Sequence, residues 1–206
     1  MKLSNINFFS VNFVKGFTAI HCNHLLLDIP HADLANSEYE SLYFRDGKGF
    51  LTPIDHTAHP RLVIDSLQDY QDLVDVFFKH RDLAVQEIIN NAAQQGINFV
   101  NNMFVPQQEL IDNNIILLLK AELCKTDYQA IKFAEGVLSA TDFQNAKSLR
   151  AAQRKLINDL EEKKAQQSEL AQFTQLTAEA KRSADMLSTD YQAKYNDMMF
   201  IVSEQD

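Results

Sequence analysis

The pattern of apolar positions changes its period near residue 65. Before that point, apolar residues recur at almost every second position over residues 6–13, and a second apolar run covers residues 17–29 as far as Pro30. Alternation with a period of two is typical of strands whose faces meet different surroundings. We therefore predict that residues 5–29 are extended.

A β-hairpin is predicted over residues 38–53. Apolar runs at residues 41–44 and 50–52 flank the sequence R-D-G-K-G, which contains an Asp-Gly pair. Such a pair between apolar runs is a strong turn signal, because glycine adopts the positive φ that a tight turn requires. Together with the preceding extended segments, this hairpin predicts a small antiparallel sheet.

A long amphipathic helix is predicted over residues 67–95. From Leu67 to Ala92 apolar side chains recur at spacings of three and four, and Gly96 ends the pattern. A broad apolar stripe has to pack against another element, and the N-terminal sheet is the simplest partner. Residues 98–106, which follow, are compatible with either a strand or a connecting loop.

The second half of the chain predicts several helices with defined ends. One helix starts near Gln107 and runs to about Cys124. Thr126 precedes Gln129 by three residues, and Thr141 precedes Gln144 by three, so each pair matches a capping box at a helix start. Gly136 is expected to end the short helix between them.

Beyond Thr141 the chain contains neither proline nor glycine. An apolar seam spaced mostly by three, four or seven continues to Met198, and a polar patch at residues 161–168 interrupts it. A single helix of this length could not bury its seam against so small a body. Either the chain reverses at residues 162–168 as a helical hairpin, or the seam pairs with another chain as a coiled coil.

The predicted fold class is α+β. A small N-terminal antiparallel sheet packs on a long helix, and a mostly helical C-terminal half carries a helical hairpin or coiled-coil arm. The expected segments are a β-rich region at residues 1–62, the long helix and its connection at residues 63–106, and the helical region with its arm at residues 107–206.

The charge of the chain bears on its partners. The formal net charge is −9, which argues against non-specific nucleic-acid binding because phosphate affinity requires an excess of Lys and Arg. The longest apolar runs are far shorter than a membrane span, and the N-terminus lacks the apolar stretch of a secretory signal. We expect neither direct nucleic-acid contact nor a membrane span.

Histidines are concentrated near the N-terminus, where five of the six lie between residues 21 and 59. Cys22 and His24 would share one face of a strand over residues 17–29, and His56 or His59 could approach from the following loop. These four residues are the candidate metal ligands, with zinc as the ion. Such an ion would hold the sheet rather than perform catalysis. The other interpretation is that these are polar positions on a half-exposed sheet, with no cofactor.

Two consecutive segments carry a family resemblance. Residues 125–136 read K-T-D-Y-Q-A-I-K-F-A-E-G, and the helix that follows contains Arg150, Arg154 and the run I-N-D-L-E at residues 157–161. Together they resemble a recurring segment of tail-region proteins of tailed phages and prophages, in which a T-D-Y-x-x-I-K-x-x-E helix precedes an R-x-x-x-R-x-x-I-N-x-L-E helix. The resemblance is limited to residues 115–162, and Gln153 stands where that segment has a tryptophan.

The resemblance implies a non-enzymatic structural or interaction protein, associated with the tail or fibre of a phage or phage-derived particle. Its partners would be other virion or tail proteins, or further copies of itself, and it would be found in the virion, or in the host cytoplasm during assembly. A tail-fibre assembly chaperone and a small metal-dependent enzyme or metal-stabilised binding protein are the alternatives. The residues expected to dock partners are Tyr128, Ile131, Lys132, Glu135, Arg150, Arg154, Leu170, Phe173, Tyr191 and Tyr195.

Overall fold

The computed structural model describes residues 3–14, 17–34, 39–54 and 61–200. It confirms the predicted α+β class, with an N-terminal antiparallel sheet followed by a mostly helical half. The chain divides into two compact units. The sheet unit comprises residues 1–90 and 193–206, and the helical unit comprises residues 91–192.

The sheet unit contains six antiparallel strands in the order β3-β2-β1-β4-β5-β6. The strands are β1 Phe8–Val14, β2 Phe17–Cys22, β3 Leu25–Pro30, β4 Tyr39–Arg45, β5 Lys48–Pro53 and β6 Leu62–Ile64. Side chains alternate between the two faces of each strand. One face therefore carries most of the apolar residues, and the other carries a mixture of aromatic and polar ones.

The predicted continuous strand over residues 17–29 is wrong, because β2 and β3 form a hairpin. Asn23 adopts a φ of 51° between them, a left-handed conformation that asparagine tolerates better than most residues. Its Oδ1 accepts hydrogen bonds from the backbone N–H groups of Asn7 and Phe8, each at 3.0 Å. These bonds hold the turn against the start of β1.

The predicted hairpin around the Asp-Gly pair is confirmed. Asp46 and Gly47 join β4 to β5 with φ values of 50° and 84°. Two positive φ values match the right-handed twist of the strands that the turn joins. Local sequence chemistry was therefore enough to locate this turn.

The long helix α1, Gln71–Gln94, follows a short 3₁₀ turn at Gln68–Tyr70. Its first turns pack on the sheet, where Val74 and Phe77 join one core cluster with Phe9, Ile20 and other strand residues. Phe77 is fully buried, and its ring centroid lies 6.4 Å from that of Phe9. The prediction that this helix covers the N-terminal sheet is confirmed.

The helical unit begins with a second, smaller hairpin. Strands β7, Ile97–Val100, and β8, Met103–Pro106, pair in antiparallel fashion, so the strand alternative for residues 98–106 is the correct one. Asn101 and Asn102 form the turn, both with positive φ. The Gln192 side chain accepts from the Phe104 N–H at 3.1 Å and donates to the Asn102 carbonyl at 3.3 Å.

The helices of the second half are α2 Gln108–Lys125, α3 Gln129–Ala134, α4 Ala140–Glu161, α5 Gln167–Gln172 and α6 Thr174–Met199. Lys163, with a φ of 56°, lies in the connection after α4. The long helix is interrupted there, so α4 and α6 are separate helices, and Lys155 of α4 contacts Glu169 of α5 across the connection. Among the described residues, no helix is long and apolar enough to cross a membrane.

The apolar seam of the C-terminal half is buried largely within its own chain. Leu156, Leu160, Phe173 and Ala180 join one core cluster with residues of α2 such as Leu119. Pairing with another chain, the coiled-coil alternative, is therefore not needed to bury these residues, because α2 supplies the opposing apolar face.

Candidate interaction surface

We define residues 126–139, between α2 and α4, as the helical corner. The short helix α3 lies within it and ends in a Schellman motif, in which the Val137 N–H donates to the Lys132 carbonyl and the Gly136 N–H to that of Phe133. Gly136 has a φ of 71°. The prediction that this glycine ends the short helix is confirmed.

Both predicted capping boxes are wrong. The Thr126 hydroxyl lies 3.2 and 3.1 Å from the carbonyl oxygens of Glu122 and Leu123. It therefore donates a hydrogen bond to the last turn of α2 and does not cap the start of α3. At the start of α4 the cap is Ser139, whose Oγ accepts from the Asp142 N–H at 3.1 Å. Thr141 is already inside that helix. Ser139 and Thr141 are both hydroxyl residues near the start of α4, and the local motif did not distinguish between them.

Arg150 holds the corner in place from α4. Its guanidinium donates to the Leu123 carbonyl at 2.7 Å, to the Thr126 hydroxyl at 2.5 Å and to the Asp127 carboxylate at 2.5 Å. The Arg150 side chain is largely buried by these contacts. Because a planar guanidinium presents several donors in fixed directions, one side chain fixes the end of α2 relative to α4.

The outward side of the corner is apolar. Tyr128, Ile131, Phe133 and Val137 are all exposed, Ile131 to 59% and Val137 to 70%. We name these four side chains the corner surface. The Phe133 ring stacks on that of Phe143 in α4, with centroids 4.3 Å apart, and the Lys132 ammonium lies 4.5 Å from the centre of the Tyr128 ring. The corner surface is therefore ordered and apolar, and it remains open to solvent.

The other predicted docking residues are in varied environments. Glu135 and Arg154 are exposed, and Lys132 is half-buried. Leu170 and Tyr195 are also half-buried. Phe173 and Tyr191 are buried, and the Tyr191 ring lies 5.8 Å from that of Phe104 within the helical unit. Phe173 and Tyr191 are thus core residues and do not contribute to an exposed docking surface.

The predicted metal ligands are only partly described. His56 and His59 lie outside the described residues. Cys22 is fully buried beneath the sheet, and burial raises the pKa of its thiol to about 12, which disfavours the thiolate that a metal requires. His24 lies in the turn after β2, where its Nε2 is 3.3 Å from the Asp197 carbonyl. Within the described ranges no group of three or more His, Cys, Asp or Glu side chains is arranged to hold a metal.

A second exposed surface, which sequence reasoning did not single out, covers the side of the large sheet that faces away from α1. We name it the outer sheet face. On it, the Phe8 ring lies 4.8 Å from His21 and 5.5 Å from Tyr43, and the Tyr43 and Phe50 rings are nearly parallel with centroids 6.2 Å apart. The sequence feature that could have indicated this surface is the presence of aromatic residues at outward positions of three strands. Those residues could be aligned only once the strand order was known.

A group of ion pairs in the helical unit lies near the connection between α4 and α5. Lys155 hydrogen-bonds to Asp159, one turn away, at 2.6 Å and also contacts Glu169 at the start of α5. The hydrogen bond from Lys155 holds the pKa of the Asp159 carboxyl below its ordinary value. These contacts connect α4 to α5 across the turn and are explained by their structural role.

Comparisons of the chain with known protein families, with characterised proteins and with solved structures find no match.

Proposed function

We propose that this protein is a non-enzymatic structural or interaction component of a phage or phage-derived particle, associated with its tail or fibre. It would act by docking other particle proteins on helical surface. The observation that carries the proposal is the corner surface, because it exposes a cluster of large apolar side chains within the segment resembling tail-region proteins.

The construction of the corner supports a binding role. Exposed apolar clusters on soluble proteins commonly mark interaction sites. Here Arg150, Ser139 and the Schellman motif at Gly136 order the backbone that presents the cluster. A surface ordered before binding loses less conformational entropy when a partner arrives.

The proposal is tested by incorporation into particles. Particles assembled in cells producing the wild-type chain are compared with particles from cells producing the Ile131→Asp/Val137→Asp variant. The double variant places two carboxylates where a partner would bury apolar surface, so we expect it to be lost from purified particles. Leu117→Asp is the matched control, because Leu117 is also an exposed apolar residue of the helical unit but lies outside the corner.

Retention of the control together with loss of the double variant would support the proposal. Equal incorporation of all three chains would contradict docking through the corner, and absence of the wild-type chain from particles at every stage would contradict the particle role itself. Presence in assembly intermediates but not in mature particles would replace the structural role with that of an assembly chaperone.

A further inference from the structure

The outer sheet face carries one apolar stripe that crosses all six strands. The strand register places six side chains in a single row, one from each strand: Leu26, His21, Ser10, Tyr43, Phe50 and Val63. The two ends of the row are its most exposed members, with Leu26 at 58% and Val63 at 71%. Together with the half-buried Phe8, the row forms a broad, largely apolar surface on one side of the sheet.

A polar row runs beside this stripe, two residues further along each strand. Its members are Asp28, Ala19, Asn12, Ser41 and Thr52. Continuing the β5–β6 ladder by one residue places Arg61 at the far end, beside Thr52. The row therefore has an acid at its β3 end and a base at its β6 end.

We propose that the outer sheet face binds the same face of a second copy of this chain, about a two-fold axis that runs parallel to the strands between β1 and β4. Because the sheet has three strands on each side of that axis, every strand acquires a partner: β1 lies over β4 of the second copy, β2 over β5 and β3 over β6. Rotation about this axis does not shift residues along the strand direction. Each row therefore lies over the same row of the second copy, with the order of its residues reversed.

The apolar stripe is complementary to itself under this axis. Leu26 lies over Val63 of the second copy, and His21 lies over Phe50. Ser10, the smallest side chain of the row and only 9% exposed between its neighbours, lies over Tyr43. The Leu26–Val63 pair is apolar on both sides, and the two aromatic rings of the row cover His21 and Ser10.

The charges are complementary under the same axis. Asp28 lies over Arg61 of the second copy, and the symmetric pair forms at the other end. Asn12 lies over Ser41, where both groups can hydrogen-bond. Next to the stripe on its other side, Phe8 faces Arg45, an arrangement suited to a cation–π contact. These rows bring no two like charges together.

A two-fold axis across the strands fits less well. It would place each strand over its own copy, so that Asp28 and Arg61 would not meet.

The size of the surface also sets the strength of the pairing. Six strands spaced about 4.8 Å apart, most of them about six residues long, cover roughly 24 by 20 Å, or about 500 Å² on each copy, which lies below the range of stable dimers and within that of weak, transient contacts. We therefore expect a reversible dimer whose population depends on concentration.

Analytical ultracentrifugation of the full chain over a wide concentration range tests this inference. The wild-type mass should rise from 23.5 kDa towards twice that value. Phe50→Lys and Val63→Lys should both remain monomeric, because each would bury an unpaired charge. Leu83→Lys, which changes an exposed residue of α1, should dimerise like the wild type.

A charge exchange tests the axis. Asp28→Arg and Arg61→Asp should each weaken the dimer by about tenfold, since each variant places two like-charged pairs at the interface. The double variant restores opposite charges with their positions reversed, so it should recover most of the wild-type affinity. Circular dichroism of each variant establishes that the fold is retained.

A wild-type chain that stays monomeric throughout would overturn the inference. So would a dimer that survives both lysine substitutions, or a double charge variant that binds no more tightly than the single ones. The corner surface and the outer sheet face share no residue. Failure of the particle assay therefore leaves the dimer result unaffected, and a monomeric chain leaves the particle assay unaffected.

Discussion

The core of the sheet unit and the buried face of α6 are built from side chains of different size. In the sheet unit, large residues such as Phe9, Ile20 and Phe77 fill the space between the sheet and α1. In the helical unit, the buried face of α6 includes Ala180, Ala184 and Ser188, and the Asn114 amide reaches the Ala180 carbonyl at 3.3 Å. Small side chains let helix backbones approach closely. The sheet unit should therefore be most sensitive to lost volume, and α6 most sensitive to added volume.

The largest expected effect tests the first half of this comparison. Phe77→Ala should lower the free energy of unfolding by about 3–5 kcal/mol, because it removes a fully buried ring and leaves a cavity. Denaturant unfolding followed by circular dichroism measures the change. Leu83→Ala, at an exposed position of the same helix, is the control, and an equal loss in both variants would contradict the assignment of Phe77 to the core.

Enlarging a buried residue of α6 tests the second half. Ala180→Leu should destabilise the chain by about 1–3 kcal/mol, because the added methylenes have no space beside α2. Ala178→Leu makes the same change on the exposed side of α6 and should cost little. The close approach of α6 would be refuted by equal thermal stability of the two variants.

A smaller effect distinguishes the observed cap of α4 from the predicted one. Ser139→Ala should cost about 1 kcal/mol, since it removes the acceptor for the Asp142 N–H. Thr141→Ala should be neutral or slightly stabilising, because alanine is the better helix former inside a helix. Paired thermal unfolding measurements compare them, and a greater loss in the threonine variant would restore the sequence-based prediction.

The smallest expected effect is a pH dependence in the helical unit. The folded state lowers the pKa of Asp159 below its ordinary value near 3.8, so the unfolded chain binds the proton more readily. The stability contributed by this carboxylate is present above that ordinary pKa and is lost as the pH falls through the lower folded value. The melting temperature of Asp159→Asn should fall less in this acidic range than that of the wild type, and parallel profiles would argue against the contribution.

The sequence predicted best those features that depend on neighbouring residues. The Asp46-Gly47 turn and the glycine that ends α3 each follow from a few adjacent positions, and α1 follows from the apolar spacing within one continuous segment. The β7–β8 hairpin could also have been identified, because Asn101-Asn102 is a pair that tolerates positive φ. Recognising that pair as a hairpin turn would have favoured the strand alternative for residues 98–106 over the loop.

Features that depend on distant residues could not be predicted in this way. Arg150 reaches a carbonyl 27 positions earlier in the chain, whereas the family resemblance implied only a partner-docking role for it. The burial of Phe173 likewise depends on α2, which lies far away in sequence. The outer sheet face required the full strand order, because its row draws one residue from each of six strands.

The side-chain amide of Gln192 has a consequence for the small hairpin of the helical unit. By accepting from the Phe104 N–H and donating to the Asn102 carbonyl, it reproduces the bonding of one peptide group of an adjacent strand. An edge closed in this way cannot accept a strand from another molecule at that point, and such edges are where fibrillar aggregation begins. One glutamine thereby blocks the addition of a further strand to the β8 edge at that point.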